Sequence, residues 1–230
     1  MVRAEMIINH EKRIIFIKTK KTAGTSFEIA LSKFCGKDCI ITPITPSDEN
    51  LRKQMGFRGA QNYQNYFWPE EGAKTNGTFF NHIPASLIKS VIPERVWHEY
   101  TKVTIVRNPF DSAISRYFWE GGENTGLTYS DYLKTYPQHL LENSKIAPLS
   151  GDAKCDVYLQ YEKIEEDLKR TGLMFLWKTF NSIRVKADKR PKQGASVQEI
   201  YKKYPESLDV VRELCGDELK HFNYEAPVTS

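Results

Sequence analysis

Long apolar runs are missing from these 230 residues. None approaches the ~20 apolar residues that a membrane-spanning helix needs, so no membrane span is expected. The first ten residues carry Arg3, Glu5 and His10 and lack the apolar core of a signal peptide. A soluble, cytoplasmic protein is therefore expected, or one trimmed of an anchor. Without an export signal, the glycosylation sequon Asn76-Gly77-Thr78 reads as a chance match. Cysteine is scarce: Cys35, Cys39, Cys155 and Cys215 form neither a CxxC pair nor a zinc spacing, and they read as reduced structural thiols. A strong charge of one sign is also lacking. The net charge of +4 shows no dense basic stripe, which argues against a nucleic-acid partner. Repeats and low-complexity tracts are absent. The length suits one well-buried α/β domain over 1–230 and is short for two.

The stretch with most chemistry is 14–31. Ile14-Ile15-Phe16-Ile17 is an unbroken apolar run, the signature of a strand buried on both faces in a parallel sheet. From Phe27 the period becomes helical through Ala30, Leu31 and Phe34, ending near Cys35-Gly36. Thr25 and Glu28 stand at capping-box spacing. Lys18 to Ser26 is then a tight strand-to-helix loop holding three lysines, with Thr22, Thr25 and Ser26 as short donors. Ala23 and Gly24 let the backbone approach a ligand. The exposed N–H groups and dipole of a helix start favour an anion there, so phosphate or sulfate binding is expected over a merely solvated basic turn. The Walker A pattern is not present: there is one glycine, and the lysine precedes it.

Two further junctions stand out. Thr78 to Asn81 reads as a short strand ending at His82, with Pro84 opening a helix through Leu87, Ile88 and Val91. Lys102 to Val106 reads as a second buried strand, ended by Arg107. Asn108 is a good N-cap, Pro109 suits the first helical position, and Asp111 complements the dipole. Ser115 follows about 10 Å along that helix, near enough for Arg107 and Ser115 to share one phosphate.

Lys21-Thr22-Ala23-Gly24-Thr25-Ser26 resembles the 5′-phosphosulfate loop of sulfotransferases that use 3′-phosphoadenosine-5′-phosphosulfate (PAPS). It is most like the carbohydrate type, which includes the heparan and chondroitin 2-O-sulfotransferases. That family often has proline where this chain has Lys20, which leaves open whether Lys18 or Lys20 assists Lys21. Arg107 to Tyr117 resembles the family's 3′-phosphate motif, and the two motifs keep the family's order and rough spacing. The resemblance implies a P-loop-like three-layer α/β fold with a central parallel sheet flanked by helices. It implies that Lys21 stabilises the bridging oxygen and that Thr22, Ala23, Gly24, Thr25 and Ser26 hold the 5′-phosphate. Arg107 and Ser115 would bind the 3′-phosphate. His82 would be the general base, with a pH–rate limb at about 6–7. PAPS would be the co-substrate, with PAP the product, and the partner a hydroxyl-bearing acceptor, a glycan among the candidates. A sulfuryl group carries less charge than a phosphoryl group, so no metal is expected.

The remainder of the chain reads more plainly. Residues 40–77 look like an irregular insertion. Tyr63, Tyr66, Phe67 and Trp68 there are either core packing or a sugar-binding platform. A helix is expected over 129–141, a strand over 156–161 leading into a helix by 168, and a helix from Leu173 to Phe180. The basic loop 181–194 reads by itself as a solvated loop, and the resemblance implies that it closes over the nucleotide's 3′ end. Ser196 and Glu199 form a second capping box, and a last helix begins near Leu208. Two other functions fit the basic loops: a P-loop-type ATP-dependent kinase, and a non-catalytic module for an anionic glycan or nucleotide, which would not need His82.

Overall fold

The computed structural model describes residues 6–75, 77–80, 82–183, 190–191 and 193–228. Its main sheet has five strands: β1 (Ile7–Asn9), β2 (Ile14–Phe16), β3 (Ile40–Ile41), β6 (Thr101–Val106) and β7 (Val157–Gln160), in the order β3-β1-β2-β6-β7. β2, β6 and β7 are parallel, with Phe16 opposite Val103 and Ile105 opposite Leu159. β1 runs antiparallel to both β2 and β3. The sheet is therefore mixed, a correction to the expected parallel sheet: a tight turn at residues 10–13 makes β1 and β2 a hairpin. β4 (Phe67–Trp68) and β5 (Ala73–Lys74) form a separate antiparallel pair.

Strand alternation divides the core between the two faces. Ile7, Ile14 and Phe16 face α1 (Gly24–Ser32), α8 (Ile164–Arg170) and α9 (Trp177–Ser182), where Phe27 lies 4.4 Å from Phe16 between ring centroids. Ile8, Ile15 and Ile17 face the layer built by α3 (Ala85–Val91) and α4 (Glu94–Glu99), with Ile88 and Trp97 buried. A third apolar cluster joins α5 (Pro109–Trp119), α6 (Tyr129–Thr135), α10 (Val197–Lys203) and α11 (Ser207–His221).

Several local expectations change. The insertion contains a regular helix, α2 (Pro46–Gln54), with Pro at its start and Thr45 Oγ1 accepting from Asp48 N at 3.3 Å. Its polar sequence hides the period, although the Thr45-Pro46 start and Asp48-Glu49 were visible signals. The helix expected over 129–141 is two helices, α6 and α7 (Gln138–Ile146), because Pro137 has no N–H to continue the ladder. The strand expected at 78–81 is not formed by its described residues. Thr78 makes one isolated bridge to Gln64, and Phe79 N donates to Tyr63 O at 3.0 Å, so the segment folds onto the insertion and not into the sheet. Asn81 lies outside the described residues. α1 ends at Ser32, a turn before the expected stop.

Candidate functional site

The site lies beyond the carboxyl ends of β2 and β6, the edge where α/β sheets place ligands. Its centre is the loop from Ile17 to Ala23. Lys18 does not face a ligand. It is buried, and its Nζ donates to Thr25 Oγ1 at 2.9 Å and to Glu28 Oε2 at 2.8 Å. The Thr25/Glu28 spacing thus serves this lysine and not a capping box. The helix starts two residues before the position that box would set, with Ala23 at the N-cap in the left-handed region and no side-chain cap. Gly24 is required for the same reason: a Cβ there would stand 2.6 Å from Lys18 Cγ.

Side chains from four directions fix the loop backbone. His82 Nδ1 bonds Lys18 O at 2.9 Å. Thr19 Oγ1 donates to Ile105 O on β6 and lies 2.9 Å from Thr22 Oγ1. Asn143 on α7 holds Lys20 from both sides, accepting from its N–H at 2.8 Å and donating to its C=O at 3.0 Å. Arg107 NH1 donates to Lys21 O at 3.0 Å. Lys21 and Ala23 both take positive φ, 63° and 64°, as does His82 at 54°. Non-glycine residues in this region store strain that surrounding contacts must hold, and such residues cluster at functional sites.

The lysines have separate tasks. Lys18 pairs with Glu28, and Lys20 Nζ pairs with Glu142 Oε2 at 2.8 Å. Lys21 Nζ lies 4.0 Å from the centroid of the half-exposed Trp119 ring at the end of α5. Arg116, largely buried on α5, also reaches Glu142, at 2.9 Å. Burial pushes the Glu142 carboxyl up, but the Lys20 hydrogen bond and the Arg116 charge outweigh it and hold it below the usual range.

His82 is neutral. Burial depresses its imidazolium to about 3; the Lys18 carbonyl opposes this, while Lys18, Lys20 and Arg116 push the same way. A carbonyl only accepts, so Nδ1 carries the hydrogen and Nε2 keeps its lone pair. The side chain has the tautomer a base needs. Its imidazolium is held well below the range of 6–7 expected for a limb from this residue.

At the end of β6, Arg107 turns to α5. Its Nε and NH2 reach Asp111 Oδ2 at 2.7 and 2.5 Å, and its guanidinium stacks on Tyr161 at 4.7 Å. Asn108 caps the helix as expected, Oδ1 accepting from Phe110 N at 3.0 Å. Ser115 is half-buried, one turn beyond Asp111 on the same side of the helix. Ser26 Oγ turns to Ile183 O at 3.4 Å. Of the basic loop, Arg184, Lys186, Lys189 and Lys192 lie outside the described residues; Arg190 reaches Asp111 Oδ1 at 2.5 Å.

The structure thus brings Lys21, Thr22, Ala23, Gly24, Thr25, His82 and Arg107 to one loop. Tyr63, Tyr66 and Trp68 pack against the core, Trp68 Nε1 donating to Thr75 Oγ1 at 2.7 Å, and Phe67 is the one of these four that stands exposed. Glu142, Asn143 and Trp119 carry no local motif and could not be found from spacing. Among the described residues no cluster of three or more His, Cys, Asp or Glu side chains could hold a metal ion, and no helix is long and apolar enough to cross a membrane. Compared with known proteins, the chain matches no family model, no curated sequence and no solved structure.

Proposed function

We propose that this protein is a PAPS-dependent sulfotransferase of P-loop-like fold that moves a sulfuryl group to an acceptor hydroxyl. One observation carries the reading: a single loop is held by His82 through Lys18 O and by Arg107 through Lys21 O, so base, loop and arginine share one frame. The residues present fit the co-substrate. Loop amides at the start of α1, with the Thr25 hydroxyl, suit the 5′-phosphate, and Lys21 supplies positive charge where negative charge develops on the bridging oxygen. Arg107 and Ser115 suit the 3′-phosphate. His82 Nε2 takes the hydroxyl proton as the acceptor oxygen bonds to sulfur and the bond from sulfur to the 5′-phosphate oxygen breaks, leaving PAP. The leaving charge is met by Lys21 and backbone donors, and the reaction is expected to run in EDTA. A glycan is one acceptor class that fits.

Sulfur-labelled PAPS offered with a panel of sugars, alcohols, phenols and tyrosine peptides tests the proposal. Label should move to at least one class, with EDTA present, and Lys21→Ala should lose most of it. Transfer that requires magnesium, or that uses ATP in place of PAPS, would favour a kinase.

A further inference from the structure

Asp111 is an odd neighbour for an anion site. Its carboxylate takes a different arginine on each oxygen: Arg107 on Oδ2 at 2.7 and 2.5 Å, and Arg190 on Oδ1 at 2.5 Å. The two arginines are 83 residues apart by their numbers, 190 less 107, and belong to unrelated segments. Arg190 is tied on its other edge to Ala195 O, and Arg107 to Lys21 O and the Tyr161 face. Side-chain exposures of 16% for Arg107, 22% for Asp111 and 23% for Arg190 take this bridge largely out of solvent. By charge alone, a carboxylate here should repel a phosphate. It engages one edge of the Arg107 guanidinium, Nε with NH2, and Lys21 O takes one hydrogen of NH1, which leaves one donor on each terminal nitrogen.

We infer that Asp111 is a positioning residue that assembles the 3′-phosphate site, by locking Arg107 and Arg190 to one point so that both present donors to the same anion. This rests on the sulfotransferase reading and adds Arg190 and Asp111 to it. It requires that removing a negative charge weakens anion binding.

Calorimetry with PAP and AMP on wild type, D111N, D111E and R190A tests this, with melting temperatures on the same preparations. Asn can accept from one arginine but confronts the other with a donor. D111N should therefore lose about tenfold or more in PAP affinity while AMP affinity moves less than about threefold. D111E should recover part of the loss. R190A, which cuts the bridge from its far end, should reproduce the PAP-selective loss, and D111N/R190A should be no worse than about the larger single loss. PAP affinity that is unchanged or tighter in D111N overturns the proposal, as do equal losses for PAP and AMP. If D111N does not fold, R190A alone decides by the same criterion. Wild type that binds PAP and AMP alike overturns the sulfotransferase reading itself. That outcome is distinct from a wild type that discriminates and a D111N that still does.

Discussion

His82 shows how one residue's surroundings choose its chemistry. Its Nδ1–H is spent on Lys18 O, its Nε2 lone pair remains, and burial with three nearby cations holds the imidazolium to about 3. His82→Ala should lower kcat by roughly 10²–10⁴ while PAP affinity stays within a few-fold, checked by transfer kinetics beside calorimetry. A packing histidine would instead lower the melting temperature and leave kcat of the folded fraction unchanged. Wild-type kcat should be flat from about pH 7 down to about pH 4, with no His82 limb between 6 and 7. The same depression has a stability consequence. Between the unfolded value of 6.5 and about 3 the unfolded chain binds a proton that folded His82 refuses, so stability falls as pH falls through that window. His82→Gln removes this term. Its stability relative to wild type should therefore rise as pH drops from 7 to 4 in urea titrations; a constant difference would mean that His82 is not the buried neutral group described.

At the scale of elements, the loop and α1 depend on a buried ion pair. Lys18 and Glu28 are 4% and 0% exposed in their side chains, and Gly24 exists to let the lysine pass. Lys18→Met leaves a buried carboxylate without this partner and should cost roughly 3–5 kcal/mol in chemical denaturation. Pairing it with Glu28→Leu should recover most of that. A cost below about 1 kcal/mol for the single change would show the pair to be dispensable. The strand, loop and helix here were legible because an apolar run, a basic stretch and a helical period follow one another within 14–31. The partners were not. Thr25 and Glu28 fit a capping box equally well on paper, and only the fold shows that Lys18 claims both. Asn143 lies 123 residues from Lys20 and has no motif around it. α2 is not legible in the sequence by its period because its buried face is carried by Asp48 and Arg52, not by apolar residues.

Across the molecule, three parallel strands bring the ends of β2 and β6 together, a hairpin adds β1 at one edge, and β3 pairs antiparallel outside it. The unbroken apolar run Ile14 to Ile17 announced the parallel part; β1 escaped because Ile7-Ile8-Asn9 is too short to declare a direction. The Arg107 and Lys21 motifs were visible separately, and their junction through Lys21 O is a product of the β2–β6 pairing. The central claim is that this junction binds a nucleotide carrying phosphates at both 5′ and 3′ positions. Calorimetric titration of the wild-type protein and Arg107→Ala with PAP and with AMP measures it most directly. The account predicts that wild type prefers PAP by about a hundredfold, on the order of 3 kcal/mol from charge-assisted contacts to the 3′-phosphate, and that Arg107→Ala loses most of that preference. Equal affinity of the wild-type protein for PAP and AMP would contradict it.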